Sequence, residues 1–313
     1  MRDLCFSLFN WFVRHIPRSL LRRLLRTLYF QPDITDGIHY QVHPQVFYNP
    51  FPDPAEVDLA RLKEKRSLPG IDLKVASALE LLQKLSTWSG EVGEFLKSRP
   101  LTPKQLASWN ETYAPCDSGT LYALLRELKP KRYLEVGCGF SSRVSAAALR
   151  RNEADGHPCQ AAFIEPYPSA RLADLKLPGE FIKEQIQRVP LERFQQLAAG
   201  DVLFIDTSHV IKVQNDVEYE LLHILPSLNP GVIVHIHDIF TPYDYPAEWL
   251  LGNGPNRGGN NEQYALECLL SGGANWEVLL PVHLLWREHA AALKALVYSE
   301  DRPAAFWIRK AGC

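Results

Sequence analysis

The chain has 313 residues, 46% of them hydrophobic and 22% charged, with a formal net charge of −2. That length accommodates one large domain and an accessory region, and the near-neutral balance argues against a nucleic-acid protein, which normally carries a clear basic excess. The six cysteines (Cys5, Cys116, Cys138, Cys159, Cys268 and Cys313) contain no CxxC pair, so no disulfide framework or zinc knuckle is legible and a reducing, cytoplasmic setting is expected.

The first thirty residues, "MRDLCFSLFNWFVRHIPRSLLRRLLRTLYF", are too interrupted by arginine to span a bilayer and too basic for a signal peptide. Arg14, Arg18, Arg22 and Arg26 fall four apart and form one helical stripe, with Leu20, Leu21, Leu24, Leu25 and Leu28 roughly opposite. Two readings stay open. The helix lies on an anionic membrane surface, or it packs its leucines on the domain or on a second copy. Residues 31–70 are rich in proline and aromatics and read as an irregular surface segment.

Helical periodicity returns in "LKVASALELLQKL" and in "DSGTLYALLRELKP", where Pro130 ends the helix. From Lys131 on, apolar runs alternate with helical stretches. Strands are predicted at "RYLEV", "CQAAFIE", "EFIKEQIQRV", "DVLFID" and "GVIVHIH", with helices at about 141–151, 168–176, 190–199 and 213–227. This alternation predicts an α/β fold of right-handed βαβ units around a mostly parallel sheet. "WEVLLPVHLLW" and "AAFWIRK" are candidates to complete it.

The first strand runs into "VGCGFSS". Gly137 and Gly139 suit a tight turn and the close approach of a ligand, and the helix opening at about Ser141 presents free N–H groups. As a dinucleotide fingerprint the loop is poor, because Ser142 stands at the third glycine position. Glu135, two residues before Gly137, is placed to meet a ligand ammonium. Glu165, at the tip of the second strand, is placed to meet ribose hydroxyls.

With these residues in view, the sequence resembles the class I S-adenosylmethionine-dependent methyltransferases. "LEVGCGFSS" looks like their first motif, Glu165 like their ribose-binding acid, and "GDVLFIDTSHV" and "LNPGVIVHIHDIF" like their fourth- and fifth-strand motifs. The resemblance covers about residues 105–310, and it is strongest to small-molecule methyltransferases whose fourth strand ends in Asp-x-Ser-His and whose fifth ends in His-Asp. It implies a doubly wound, Rossmann-like seven-stranded sheet in the order 3-2-1-4-5-7-6 with the last strand antiparallel. It also implies a methyltransferase domain over residues 105–313 behind an extension over 1–104. The cofactor would contact Glu135, Gly137, Gly139, Ser141, Ser142, Glu165 and Asp206. The implied reaction is methyl transfer to an oxygen of a small molecule.

In that order the fourth and fifth strands are neighbours, so Asp206, His209, His237 and Asp238 converge at one edge. His235 shares a strand face with His237 but lies deeper, and is expected to be buried, neutral and hydrogen-bonded through one nitrogen. His237 and Asp238 are expected on opposite sides of the strand tip. Three readings of this rim remain: a divalent cation such as Mg²⁺ held by Asp206, His237 and Asp238; metal-free catalysis by His209 or His237 with Asp238; or a structural turn cap. A hydrolytic zinc loop is disfavoured, because Ile239 and Phe240 stand where a further ligand would be needed. Tyr243, Tyr245 and Trp249 suggest a lid, with Asn260 or Asn261 capping the next helix, and Trp109 and Tyr113 join them as candidate pocket aromatics. Two other classes compete with the methyltransferase: a nicotinamide-dependent oxidoreductase, disfavoured by the loop, and a non-catalytic cofactor-binding protein.

Overall fold

The computed structural model describes residues 15–30, 51–98, 113–169, 172, 175–251, 259–272 and 275–312. The chain divides into two compact units, Met1–Val57 and Asp58–Cys313. In the first unit, α1 (Arg18–Phe30) is the predicted basic helix, and Leu20 and Leu24 on it are exposed. Arg14 and Trp109 lie outside the described residues. No described helix is long and apolar enough to cross a membrane.

The second unit contains α2 (Val75–Leu85), α3 (Ser89–Lys97), α4 (Pro115–Leu128), β1 (Arg132–Val136), α5 (Phe140–Ala154), β2 (Gln160–Ile164), β3 (Glu180–Ile182) and β4 (Val202–Ile205). It continues with α6 (Asp216–Tyr219, prolonged by a π-turn over Glu220–Ile224), β5 (Ile233–Ile236), α7 (Glu262–Ser271), β6 (Trp276–Pro281), α8 (Val282–Glu288) and β7 (Phe306–Lys310). The sheet order is β3-β2-β1-β4-β5-β7-β6. β7 runs antiparallel to both β5 and β6, and the remaining pairs are parallel.

Parallel central strands are covered on both faces, so they read as unbroken apolar runs rather than as alternations. β4 is Val-Leu-Phe-Ile and wholly buried. Strand periodicity then assigns the two cores. Tyr133, Phe163, Phe204 and Trp307 pack on one face, while Leu134, Ile164, Leu203 and Val234 pack on the other. Helices α2 and α3 precede residue 105 yet share the first core through Leu82, Leu85 and Phe95. The compact unit therefore extends beyond the segment that the motifs cover.

Two elements are shorter than their periodicity suggests. The long run from Glu180 pairs with β2 over three residues only, then turns at Ile186–Arg188 ahead of Pro190. The helix expected at 190–199 is confined to Glu192–Gln195, between that proline and Gly200, whose φ is +85°. Of the helix expected at 168–176, residues 170, 171, 173 and 174 lie outside the described residues, and of the rest only Leu172 is helical.

Candidate active site

The tips of β1, β2 and β4 are tied together by their backbones. Gly137 N–H donates to the Ile164 carbonyl at 3.0 Å, and Asp206 N–H donates to the Val136 carbonyl at 2.9 Å. Gly137 has φ +80°, and a Cβ there would lie 1.6 Å from the Asp206 carbonyl oxygen. Only glycine fits that turn. Gly139 is different: a Cβ there would meet nothing within 4 Å, so this position borders open space.

Glu135 departs from its expected role. Its carboxylate is fully buried and accepts four hydroxyls: Ser141 (2.9 Å) and Ser142 (2.6 Å) on Oε1, Tyr133 (2.7 Å) and Ser145 (2.7 Å) on Oε2. With both oxygens occupied, no lone pair faces a ligand ammonium. Burial pushes the Glu135 carboxyl above its usual range, and the four hydroxyls oppose that shift. Ser141 and Ser142 are likewise buried behind the loop. Ser142 Oγ also accepts Gly139 N–H at 3.1 Å, which fixes the start of α5.

Glu165 remains at the rim, where its carboxylate accepts Cys138 N–H (3.2 Å) and Tyr167 N–H (2.7 Å). It lines a cavity of about 510 Å³ together with Gly137, Ile186, Asp206 and Lys212. The cavity thus joins the tips of β1, β2 and β4, with the glycine turn at its wall.

Asp206 also belongs to a second, denser cluster. His209 Nε2 stands 3.2 Å from Asp206 Oδ1 and 3.2 Å from Asp238 Oδ2, while its Nδ1 stands 3.0 Å from Glu262 Oε2. His237 Nδ1 faces Asp206 (3.5 Å) and Asp238 (3.4 Å), and its Nε2 faces Asp117 Oδ2 at 3.4 Å. His237 and Asp238 were expected on opposite sides of the tip, yet both face one cluster. The reason is local: β5 ends at Ile236 and Asp238 adopts φ +58°, which interrupts strand alternation and swings its carboxylate back.

Electrostatics follow from this packing. Burial alone would lower both imidazoles, but the surrounding carboxylates win and hold His209 and His237 well above the ordinary histidine range. Burial likewise pulls against Asp206, and the two imidazoles hold it well below the usual carboxylate range. Asp238 goes the other way, because burial outweighs the attraction of the same two histidines. His235 is buried and held well below the ordinary range, first by burial and then by His237. It is neutral as expected, but neither of its ring nitrogens has a hydrogen-bond partner; its ring stacks on Phe204 at 4.2 Å instead.

The proposed cation set Asp206, His237 and Asp238 does not fit a metal. Among the described residues no group of three or more His, Cys, Asp or Glu side chains is arranged to hold one. The carboxylate oxygens that converge here are each met by an imidazole nitrogen, and the His209 ring bridges the two aspartates that a cation would have to bridge.

Two members of the cluster, Asp117 and Glu262, were not singled out from the sequence. Asp117 lies in the first turn of α4 and Glu262 opens α7, and each reaches its histidine across 120 and 53 residues respectively. The only local hint was an acid at the head of a helix. Asn261 stands before α7 as expected, but its side chain accepts Ile211 N–H at 2.6 Å rather than capping the helix. Tyr243 and Tyr245 are buried, with Tyr245 in a small core beside Phe240 and partly buried Trp249. Residues 252–258 of the expected lid lie outside the described ones.

A seven-stranded sheet of this order, with a glycine turn after β1 and acids at the tips of β2 and β4, is the architecture of class I methyltransferases. Residues 134–239 match the model of a family described as a methyltransferase domain. Residues 134–239 are therefore similar to a methyltransferase domain and lie within a sheet of that order. An uncharacterized protein of Archaeoglobus fulgidus is 25% identical over 193 residues, which is 57% of this chain and 84% of that one. Among solved structures, the O-methyltransferase TomG of Streptomyces achromogenes shares 15% identity over 73% of this chain and 99% of its own, with a TM-score of 0.41. An O-methyltransferase of Bacillus cereus shares 12% over 73% and 100%, with a TM-score of 0.38. These structural likenesses are distant.

Proposed function

We propose that the protein methylates an oxygen of a small organic molecule, with the cofactor in the cavity between Gly137, Glu165 and Asp206. The observation that carries this reading is the position of Asp206: it lines that cavity and is at the same time a member of the His209–His237–Asp238 cluster. S-adenosylmethionine bound there supplies an electrophilic methyl whose transfer to oxygen leaves a neutral thioether. Gly137 lets the backbone approach the cofactor closely, and Glu165 offers its carboxylate to the ribose. Asp206, held ionised by its imidazole neighbours, places negative charge beside the cofactor's cationic end.

The acceptor's proton passes to Asp238, which His209 and His237 hold in place. Asp238 is a better base than a solvated aspartate, since burial raises its affinity for a proton. His209 is engaged by three carboxylates and serves to position them. A small acceptor suits the near-neutral chain.

Calorimetry with S-adenosylhomocysteine, followed by product detection across a panel of hydroxylated small molecules, tests this reading. Binding of S-adenosylhomocysteine, turnover unaffected by EDTA, and loss of turnover in Asp238→Asn are expected. Binding of a nicotinamide dinucleotide in its place would overturn it.

A second surface is offered by α1, which has four arginines and no acid in 13 residues, and exposed Leu20 and Leu24. We infer that this helix rests on an anionic membrane surface. Sedimentation with phosphatidylserine vesicles tests it: the full chain should pellet and a chain lacking residues 1–30 should not. Equal behaviour of the two would remove the idea.

A further inference from the structure

We propose that Tyr113 is a cofactor-binding residue whose hydroxyl holds the amino-acid end of S-adenosylmethionine, a contact that Glu135 does not make. This rests on the reading that the cofactor occupies the cavity between Gly137, Glu165 and Asp206.

Tyr113 stands two residues before α4 and is 6% exposed, yet its hydroxyl has no hydrogen-bond partner within the protein. A buried tyrosine normally pairs that group, because an unpaired hydroxyl loses its hydration and gains nothing for it. A phenylalanine would fill the same volume without that penalty. The hydroxyl therefore points to a ligand. His235 is the contrast: its nitrogens are also unpartnered, but its ring is fully buried against Phe204 and Trp307 in the core.

The neighbours of the Tyr113 ring set it at the edge of the sheet. It lies 4.9 Å from the His237 imidazole at the tip of β5, 6.1 Å from the Phe204 ring in β4 and 6.5 Å from the Phe140 ring that opens α5. Phe140 follows Gly139, the loop position that borders open space. Tyr113 thus sits between the glycine loop and the β5 tip. With the ribose at Glu165 on the tip of β2, the amino-acid end of the cofactor falls on this other side of the glycine turn. Hydroxyls already fill both oxygens of Glu135 there, and Tyr113 supplies a polar atom in its place.

Charge selects which pole of the amino acid is held. Burial, and then Asp117, Asp206 and Glu135, hold the Tyr113 phenol well above its ordinary range, so it stays a hydroxyl in a negative potential. Its oxygen has two lone pairs to offer, and in that field it accepts an N–H of the ammonium.

Calorimetry on the full chain with three probes tests this. S-adenosylhomocysteine carries both poles, its decarboxylated form keeps the ammonium alone, and methylthioadenosine has neither. Tyr113→Phe should weaken the first two by about 10-fold or more, the scale of a lost hydrogen bond to a charged group. Methylthioadenosine should bind wild type and variant alike. The ring is kept and only an unpaired group is removed, so the melting temperature without ligand should not fall. With any acceptor that is turned over, KM for S-adenosylmethionine should rise while the acceptor's KM stays unchanged. Unchanged affinity of the variant for S-adenosylhomocysteine or its decarboxylated form overturns the proposal, and so does an equal loss for methylthioadenosine. A rise confined to the acceptor's KM assigns the hydroxyl to the acceptor and overturns it too. Failure of the wild type to bind S-adenosylhomocysteine would remove the methyltransferase reading itself, and this proposal with it.

Discussion

His209 Nδ1 lies 3.0 Å from Glu262 Oε2, and the same imidazole reaches Asp238 Oδ2 through Nε2 at 3.2 Å. Asp238 and Glu262 bracket the connection between β5 and α7, so a single histidine holds both of its ends. Its backbone takes part as well, since the His209 carbonyl accepts Asn261 N–H at 3.0 Å and Glu262 N–H at 3.3 Å. His209 has φ +59°, a left-handed conformation that a non-glycine residue keeps only when its surroundings enforce it.

Replacing His209 by alanine should therefore do more than remove a titrating group. Glu262 would lose its imidazole and Asp206 and Asp238 would keep only His237, and breaking such a buried network costs about 3 kcal/mol or more. Denaturant melts should show that loss, and hydrogen exchange should show faster opening of residues 239–251 and 259–261 than of β1 or β4. Equal protection in the two proteins would contradict the clasp.

The same cluster gives stability a pH dependence on its alkaline side. His209 and His237 have folded values raised above the ordinary 6.5, so the native state binds their protons more tightly than the unfolded chain does. Their contribution is fully present below about pH 6.5 and is lost as pH rises through the raised folded values. Thermal melts should thus decline from neutral pH upward, and His209→Gln should flatten that decline. A melting temperature that rises over this range in the wild type would be the opposite sign.

Much of this architecture was legible before the structure. The central strands followed from apolar runs such as "VLFI" and "VIVHI", because strands buried on both faces have few other ways to look, while their order followed from the resemblance to class I methyltransferases. The convergence of Asp206, His209, His237 and Asp238 followed from strand adjacency. What the sequence withheld were side-chain facts. Glu135 sits where a ligand contact is plausible, but whether Ser141, Ser142 and Ser145 turn inward to saturate it depends on the rotation of α5. Asp238 changes face because of one positive φ, which a period-two pattern does not encode. Asp117 and Glu262 meet their histidines only through tertiary packing.

Gly137 tests the loop at its tightest point. In Gly137→Ala the new methyl meets the Asp206 carbonyl and the φ of +80° is strained for any side chain, so the tips of β1 and β4 must separate. Circular dichroism should show a retained fold with stability lowered by about 2 kcal/mol or more, and S-adenosylhomocysteine binding should be lost. Gly139→Ala has room for its methyl within the protein, so it should cost little stability and affect binding alone. Identical behaviour of the two variants would show that the loop does not divide in this way.

His235→Phe addresses the motif from its buried end. His235 lies between Phe204, 4.2 Å away and nearly parallel, and Trp307 at 4.7 Å, with both nitrogens unpartnered. Each unpaired buried polar atom costs about 1–3 kcal/mol, whereas a phenyl ring of similar shape stacks equally well on Phe204. The substitution should leave stability unchanged or raise it by about 1 kcal/mol, and S-adenosylhomocysteine binding should persist. His237→Phe, only two residues on, removes the partner of Asp117 and leaves that carboxylate buried with its two backbone donors alone. It should lose stability by about 3 kcal/mol. If His235→Phe proves as damaging as His237→Phe, the first histidine of the pair is doing chemistry that its packing conceals.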